Sequence, residues 1–231
     1  WNPDWPADVK IRVGTTESIM TALTRRQFLQ GATGLLAAHA VPLMAAPQAL
    51  TPRQPEGPFY PVELPLDNDN DLTRVEGQPE PATGEITDLA GHILDRNGRA
   101  LSGLRIEIWQ CDINGRYRHP RDRGERPADP GFQGFGHTVT DSDGRYRFRT
   151  IRPAPYTGRT PHIHVAVYPA GTAPFITQLY VAGEPRNAED FLYQRIPEAQ
   201  RPLITTGFRP SQATPGNLTA AWDIVLGVTP A

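Results

Sequence analysis

The sequence has 231 residues, a length that fits one large domain or two small ones. Its 23 Lys and Arg residues nearly balance its 25 Asp and Glu residues, and this argues against a nucleic-acid partner because nucleic-acid-binding proteins carry a clear basic excess. The single cysteine, Cys111, excludes an intrachain disulfide and is predicted to be a small buried apolar residue.

The first element along the chain is a predicted export signal at residues 20–46. The pair Arg25-Arg26 is followed by an uncharged run of apolar and small residues over 31–46. This order is typical of a signal peptide, and the paired arginines favour the twin-arginine type, which predicts a periplasmic or secreted protein. A short buried helix after a chance arginine pair is the alternative.

The segments on either side of this signal predict the domain organisation. Met20 lies just ahead of the arginine pair, so we expect it to be the native start and 1–19 to be a non-native upstream segment. Residues 47–84 are rich in proline and polar residues and predict an extended arm that wraps over a core. Residues 85–231 are predicted to form one domain. No stretch of about 20 apolar residues follows the signal, so no membrane partner is expected after cleavage.

From residue 85 onward the chain is predicted to form short strands separated by turns. Leu104, Ile106 and Ile108 alternate with charged residues, which is the period-two pattern of a half-buried strand. This strand is predicted to end at Trp109. Further strands are predicted at 85–95, 145–151, 162–167, 175–181 and 221–228, and a short helix at 188–196. Short strands, frequent turns and no long helical period predict an all-β fold, a two-sheet β-sandwich.

The predicted strand at 162–167 places two imidazoles on one face. Side chains alternate between the two faces of a strand, so His162 and His164 point the same way. The apolar residues between and after them point the other way, toward a core. The histidine face is either a solvated polar face or a pair of metal ligands.

Two tyrosines provide further donors for a metal site. Tyr156 precedes His162 by six residues, and Tyr117 follows the strand that ends at Trp109. Phenolate is a hard anionic donor and imidazole suits iron. A phenol has a pKa of about 10, so only a strongly polarising ion would deprotonate it at neutral pH. These residues favour Fe(III) over zinc, which prefers Cys and His.

Longer stretches resemble the intradiol ring-cleavage dioxygenases, particularly the protocatechuate 3,4-dioxygenase branch and its beta chain. The resemblance covers about residues 51–185. It is carried by W-Q-C-D-I-N-G-R-Y-R-H-P at 109–120, by the segment at 135–156, by R-T-P-H-I-H at 159–164 and by I-T-Q-L-Y at 176–180. The strands around 91–109 also resemble transthyretin-like modules, many of which only bind. A binding module without catalysis therefore stays an alternative, although such a module has no need of four metal ligands.

The resemblance implies an Fe(III) cofactor and four ligands, which are Tyr117, Tyr156, His162 and His164. It implies that the enzyme cleaves a catechol-type, protocatechuate-like aromatic diol with O2 to a cis,cis-muconate-type diacid. The partners are then a small aromatic diol and O2. Family members assemble into oligomers, and the sequence leaves open whether this chain forms a homo-oligomer.

The resemblance also implies roles for residues around the iron. Tyr156 would leave the iron when the diol binds and act as a local base. Arg159 would stabilise charge on the ring, Gln178 would orient the ring, and Trp109 would line the substrate pocket. One position departs from the protocatechuate branch, because Gly158 stands where that branch carries a tryptophan. The pocket wall is therefore expected to be lower at this point, and the substrate to be bulkier or differently substituted.

Overall fold

The computed structural model describes residues 47–65 and 67–228, so the predicted upstream segment and export signal at 1–46 lie outside the described residues. No helix among the described residues is long and apolar enough to span a membrane. The described residues contain ten strands, which are β1 (Ile86–Asp95), β2 (Arg105–Trp109), β3 (Phe135–Val139), β4 (Arg145–Ile151), β5 (His162–Tyr168), β6 (Phe175–Val181), β7 (Thr205–Thr206), β8 (Arg209–Pro210), β9 (Leu218–Ala221) and β10 (Ile224–Leu226). One α-helix, α1 (Phe191–Gln194), lies between two 3-10 helices at Pro185–Ala188 and Glu198–Ile204.

The strands form two five-stranded sheets. In the first sheet, β4 pairs with β1 in antiparallel orientation, β9 and β10 pair in parallel with successive segments of β1, and β8 pairs with β9. The second sheet has the strand order β3-β2-β5-β6-β7, and all of its pairs are antiparallel except β6 with β7. The predicted all-β two-sheet sandwich is confirmed.

The main hydrophobic core lies between the two sheets. Leu89 and Ile93 from β1 belong to the same buried cluster as Ile106 from β2 and Ile163 and Val165 from β5. Each of these side chains is almost fully buried, and burying one stabilises the fold by about 1.5–3 kcal/mol relative to leaving it exposed. Alternate residues of β5 therefore anchor it in the core, as the period-two pattern predicts.

The other face of β5 is also buried, although it faces away from this core. A second cluster covers it, formed by Trp109, Cys111, Tyr117, Phe135, Ala154 and Ala166. The N-terminal arm runs across this face and is fixed by hydrogen bonds to β6. The backbone N–H of Gln54 donates to the Ile176 carbonyl at 3.0 Å, and the Thr177 hydroxyl donates to the Pro52 carbonyl at 2.8 Å. The histidine face of β5 is thus enclosed and not solvated.

Two of the strands, β3 and β9, were not predicted from the sequence, and the helix is shorter than predicted. β3 and β9 carry little period-two alternation, and they are recruited by pairing with β2 and β1. The helix predicted at 188–196 contains only α1, with a 3-10 helix before it. The carboxylate of Asp190 caps α1 by accepting hydrogen bonds from the amides of Leu192 and Tyr193, which is why the helix begins at Phe191 and not earlier.

Candidate metal centre

The two histidines of β5 converge on one point. The Nε2 atoms of His162 and His164 lie 3.1 Å apart. His162 Nδ1 lies 2.7 Å from the Thr160 carbonyl oxygen, which can only accept, so Nδ1 carries the proton and donates it. The Nε2 atom of His162 is then an unprotonated nitrogen whose lone pair faces His164, as a metal ligand requires.

Both predicted tyrosine ligands lie beside these imidazoles. The rings of Tyr117 and Tyr156 are perpendicular, with centroids 5.2 Å apart. The Tyr156 ring lies 5.4 Å from the His162 ring, and the Tyr117 ring lies 6.1 Å from the His164 ring. The structure therefore brings together all four residues that the sequence analysis selected, from β5 and from the loops that follow β2 and β4.

Burial controls the protonation of the four side chains. Burial and the nearby Arg159 charge lower the pKa of His162 to about 3, and burial and His162 hold the pKa of His164 well below its usual value. Both imidazoles are neutral at neutral pH. Burial raises the pKa of the Tyr117 phenol well above its usual value, and that of Tyr156 to a smaller extent because Arg159 opposes the shift.

The donor set fits a hard trivalent cation. The Tyr117 hydroxyl is buried and has no hydrogen-bond partner among the described residues, which is costly for a polar group unless a ligand satisfies it. Within 47–65 and 67–228, no group of three or more His, Cys, Asp or Glu side chains could hold a metal. A centre at this place therefore needs the tyrosine oxygens together with the two imidazoles, and phenolate with imidazole is a donor set suited to iron.

The guanidinium of Arg159 links the candidate centre to β6. Its Nη1 donates to the Tyr156 hydroxyl at 3.5 Å, and its Nη2 donates to Gln178 Oε1 at 2.7 Å and to the Tyr180 hydroxyl at 3.2 Å. Gln178 in turn donates to the arm through the Pro55 carbonyl at 2.8 Å. The predicted catalytic pair, Arg159 and Gln178, is thus a single hydrogen-bonded unit beside Tyr156.

Asp190 completes this unit and was missed by the sequence analysis. Its Oδ2 accepts from Arg159 Nε at 2.7 Å and from the Thr160 amide at 2.9 Å, whereas its Oδ1 caps α1. The hydrogen bonds from Arg159 and from backbone amides outweigh burial, which alone raises the pKa, and hold the pKa of Asp190 below its usual value. The buried Asp190 carboxylate therefore fixes both Arg159 and Thr160, and the Thr160 carbonyl orients His162.

Trp109 has a different position from the one predicted. It is almost fully buried, its ring stacks on the His164 ring with centroids 4.9 Å apart, and it is not among the residues that line the adjacent cleft. Tyr60 from the arm packs edge-on against Trp109 at 5.1 Å and donates its hydroxyl to Glu107 at 2.9 Å. The structure places Trp109 behind the histidine, where its ring holds the orientation of the imidazole.

Two residues of the arm, Gly57 and Phe59, cover the candidate centre. The Phe59 ring stacks on Tyr117 with centroids 4.7 Å apart. Gly57 has a φ of +78°, and a β-carbon at this position would lie 3.2 Å from the Cε1 atom of His164. Only glycine combines this backbone conformation with so close an approach to the imidazole.

We expect Gly57→Ala to cost more stability than Gly77→Ala and to lower the metal content of the purified protein. Gly77 is the matched control, because its φ is +79° and no atom of the described residues lies within 4 Å of a β-carbon there. Both variants introduce the same backbone strain, of about 1 kcal/mol. Only Gly57→Ala also displaces His164. Urea unfolding and elemental analysis of both variants measure the difference, and equal losses without a change in metal would contradict it.

An open cleft of about 1120 Å³ lies against one side of the centre. Tyr156 and Arg159 line this cleft, whereas Tyr117, His162 and His164 do not. The latter three residues are at most 4% exposed. A small molecule that entered the cleft would therefore meet Tyr156 first among the four candidate ligands.

Fold and centre together define a β-sandwich protein with a candidate tyrosine–histidine metal site. The dioxygenase family matches residues 55–228 of the chain. The chain is 34% identical to the protocatechuate 3,4-dioxygenase beta chain of Burkholderia cepacia, over 75% of this chain and 78% of that one. It is 33% identical to a catechol 1,2-dioxygenase of Acinetobacter baylyi, over 62% of this chain and half of that one.

Solved structures show the same fold. The dioxygenase domain of a dioxygenase carbohydrate-binding protein fusion from Streptomyces sp. SirexAA-E superposes with a TM-score of 0.62 at 30% identity, over 78% of this chain and 100% of that one. An intradiol ring-cleavage dioxygenase from Tetranychus urticae superposes with the same TM-score at 23% identity, over 77% of this chain and 94% of that one. The chain belongs to the intradiol ring-cleavage dioxygenases, and it is an oxidoreductase of that class.

Proposed function

We propose that the protein uses Fe(III), held by Tyr117, Tyr156, His162 and His164, to cleave a catechol-type aromatic diol. The observation that carries the proposal is the convergence of two phenols and two imidazoles at one buried point, with the Nε2 atoms 3.1 Å apart. The product is a cis,cis-muconate-type diacid. It forms by rupture of the bond between the two hydroxyl-bearing ring carbons, and both atoms of O2 are retained in it.

The iron would supply Lewis-acid chemistry, because a ferric ion withdraws electron density from a diol and prepares its ring for reaction with O2. Tyr156 provides the proton acceptor. It is the candidate ligand that lines the cleft, so its phenolate oxygen is the one that an incoming diol hydroxyl reaches. Transfer of the diol proton to this oxygen leaves the diol as a better donor and Tyr156 as a neutral phenol.

Arg159 and Gln178 act on the ring of the diol. The guanidinium lies 3.5 Å from the Tyr156 hydroxyl, next to the place that the diol oxygen would take. Its positive charge stabilises negative charge that develops there. Its position is fixed by Gln178 and Asp190, both almost fully buried. This rigidity means that the charge is already in place when the diol arrives.

A protocatechuate-like diol is the substrate class that the family supports best. The relatives include enzymes named for protocatechuate, catechol and hydroxyquinol. Each of these three compounds carries two adjacent ring hydroxyls. A periplasmic or secreted location stays a prediction, because the twin-arginine signal lies outside the described residues. An oligomer is proposed as the assembly state, since relatives include protocatechuate 3,4-dioxygenase alpha and beta chains, and a homo-oligomer of this chain stays a prediction.

Purified protein from iron-replete cells tests the proposal. We expect bound iron by elemental analysis and a red-brown colour, because tyrosinate-to-iron charge transfer absorbs visible light. Addition of catechol or protocatechuate should consume O2. With isotopically labelled O2, mass spectrometry should find both labelled atoms in a ring-opened diacid. A colourless, iron-free protein that consumes no O2 with any diol would contradict the proposal.

A further inference from the structure

The cleft beside Tyr156 is larger than a one-ring diol requires. We propose that it selects a catechol whose ring carries an uncharged, hydrogen-bonding substituent about the size of a sugar. This inference rests on the proposed function and defines its substrate class. Pockets of about 300–1,000 Å³ bury drug-sized ligands, and this cleft encloses about 1120 Å³. A diol of one ring would fill a small part of that volume.

The walls of the cleft show where the additional group would lie. The loop at 155–160 forms its floor, and Asp190 connects this floor to one wall through Arg159. A second wall is the loop at 113–126, which approaches the floor where a β-carbon on Gly115 would lie 2.9 Å from the Pro155 carbonyl oxygen. A substituent on a ring held at Tyr156 would therefore lie among these lining residues.

The floor leaves this path open at Gly158. Gly158 has a φ of +75°, and no atom lies within 4 Å of a β-carbon placed there. Its exposed neighbour Thr157 also lines the cleft. The cleft is therefore unfilled beside Gly158, between Thr157 and Arg159.

The charges of the outer walls favour a neutral polar group. Arg116 is paired with Asp122 at 3.3 Å and also donates to backbone carbonyls of its own loop, so its charge is already compensated. Four further charged residues line the cleft and form no salt bridge with any described residue: Arg123, Glu125, Arg126 and Glu189. Two are positive and two are negative. Such walls offer donors and acceptors together, which suits the hydroxyl groups of a sugar better than a carboxylate.

One acid and two of its esters, which share the same catechol ring, test the inference. The substrates are protocatechuate, its methyl ester and its glucose ester, compared by kcat/KM and by dissociation constants from calorimetry without O2. We expect kcat/KM and affinity for the glucose ester to exceed those for the methyl ester about tenfold, or about 1.4 kcal/mol. Equal values for the two esters, or a preference for the acid, would overturn the inference.

Variants in two different lining segments locate the effect. Ile113→Trp and Arg186→Trp each fill part of the outer cleft, and both positions are exposed, so the fold should tolerate them. We expect either variant to lower the glucose-to-methyl ester ratio about tenfold. Val139→Trp is the control, because Val139 is 55% exposed on β3 and lies outside the cleft lining. An unchanged ratio in both cleft variants would overturn the inference.

The binding measurement separates this inference from the proposed function. If no diol is cleaved but the glucose ester still binds about tenfold more tightly than the methyl ester, and Ile113→Trp removes the difference, then the cleft selects as proposed while the proposed reaction fails. If diols are cleaved without any preference for the glucose ester, the reaction stands and the cleft inference fails.

Discussion

Tyr117→Phe is expected to abolish the visible colour and to lower both the bound iron and the rate of diol cleavage by about 100-fold or more. The substitution removes one oxygen and leaves a ring of the same shape, so the stacking on Phe59 persists. Substitution of a residue that hydrogen-bonds to a metal ligand already lowers metal affinity or activity about 10–100-fold. Loss of a ligand itself should lower them at least as much. Elemental analysis, visible absorbance and O2 uptake measure the effect.

Tyr146→Phe is the matched control for this prediction. Tyr146 is also almost fully buried, and its hydroxyl donates to the Trp222 carbonyl at 2.6 Å within the main core. Its loss should cost about 1 kcal/mol of stability and leave iron and colour unchanged. A Tyr117→Phe protein that kept its iron and activity would show that the centre does not use Tyr117.

Asp190→Ala is expected to destabilise the fold by about 3–5 kcal/mol and to lower kcat about tenfold or more. The Asp190 carboxylate is fully buried and its partner Arg159 is 8% exposed. Removal of one partner of a buried ion pair leaves an uncompensated charge, which accounts for the loss of stability. The released guanidinium no longer has a fixed position beside Tyr156, so catalysis falls as well. Urea unfolding and steady-state kinetics measure the two effects.

Asp88→Ala provides the comparison on the protein surface. Asp88 pairs with Arg149 at 3.6 Å, and both side chains are 42% exposed. Exposed pairs contribute about 0–1 kcal/mol, so this variant should change neither stability nor kcat appreciably. If Asp190→Ala behaved like Asp88→Ala, the role of Asp190 in fixing Arg159 would be refuted.

Strand β5 shows how much of the fold and centre the sequence predicts. Its alternation of His162 and His164 with apolar residues predicts one face in a core and one face with two imidazoles, and the structure has both. Local alternation suffices here because a strand fixes the direction of each side chain whatever its partners are. The positions of Tyr117 and Tyr156 depended on the family resemblance, since a loop residue has no such fixed direction.

The residues that sequence analysis misplaced or missed depend on contacts between distant segments. Asp190 meets Arg159 across 31 residues, and its local sequence places it only inside the helix predicted at 188–196. Trp109 ends β2 on the face opposite Ile108, and only the folded arm, where Tyr60 packs against Trp109, shows that this face is covered. Gly57 is a loop glycine in sequence, and only the folded arm shows that it touches His164.

The burial of β5 on both faces separates the parts of this enzyme that can vary from those that cannot. Six of its seven residues are buried, so a change in either face disturbs the core or the centre. The loops at 113–126 and 186–190 border the cleft and are largely exposed. Directed evolution toward new diols should therefore leave β5, Tyr117 and Asp190 untouched and randomise the exposed cleft-lining positions of these loops, which are Ile113, Arg123, Glu125, Arg126, Arg186 and Glu189. A library built on the strand would yield mostly unfolded or iron-free variants.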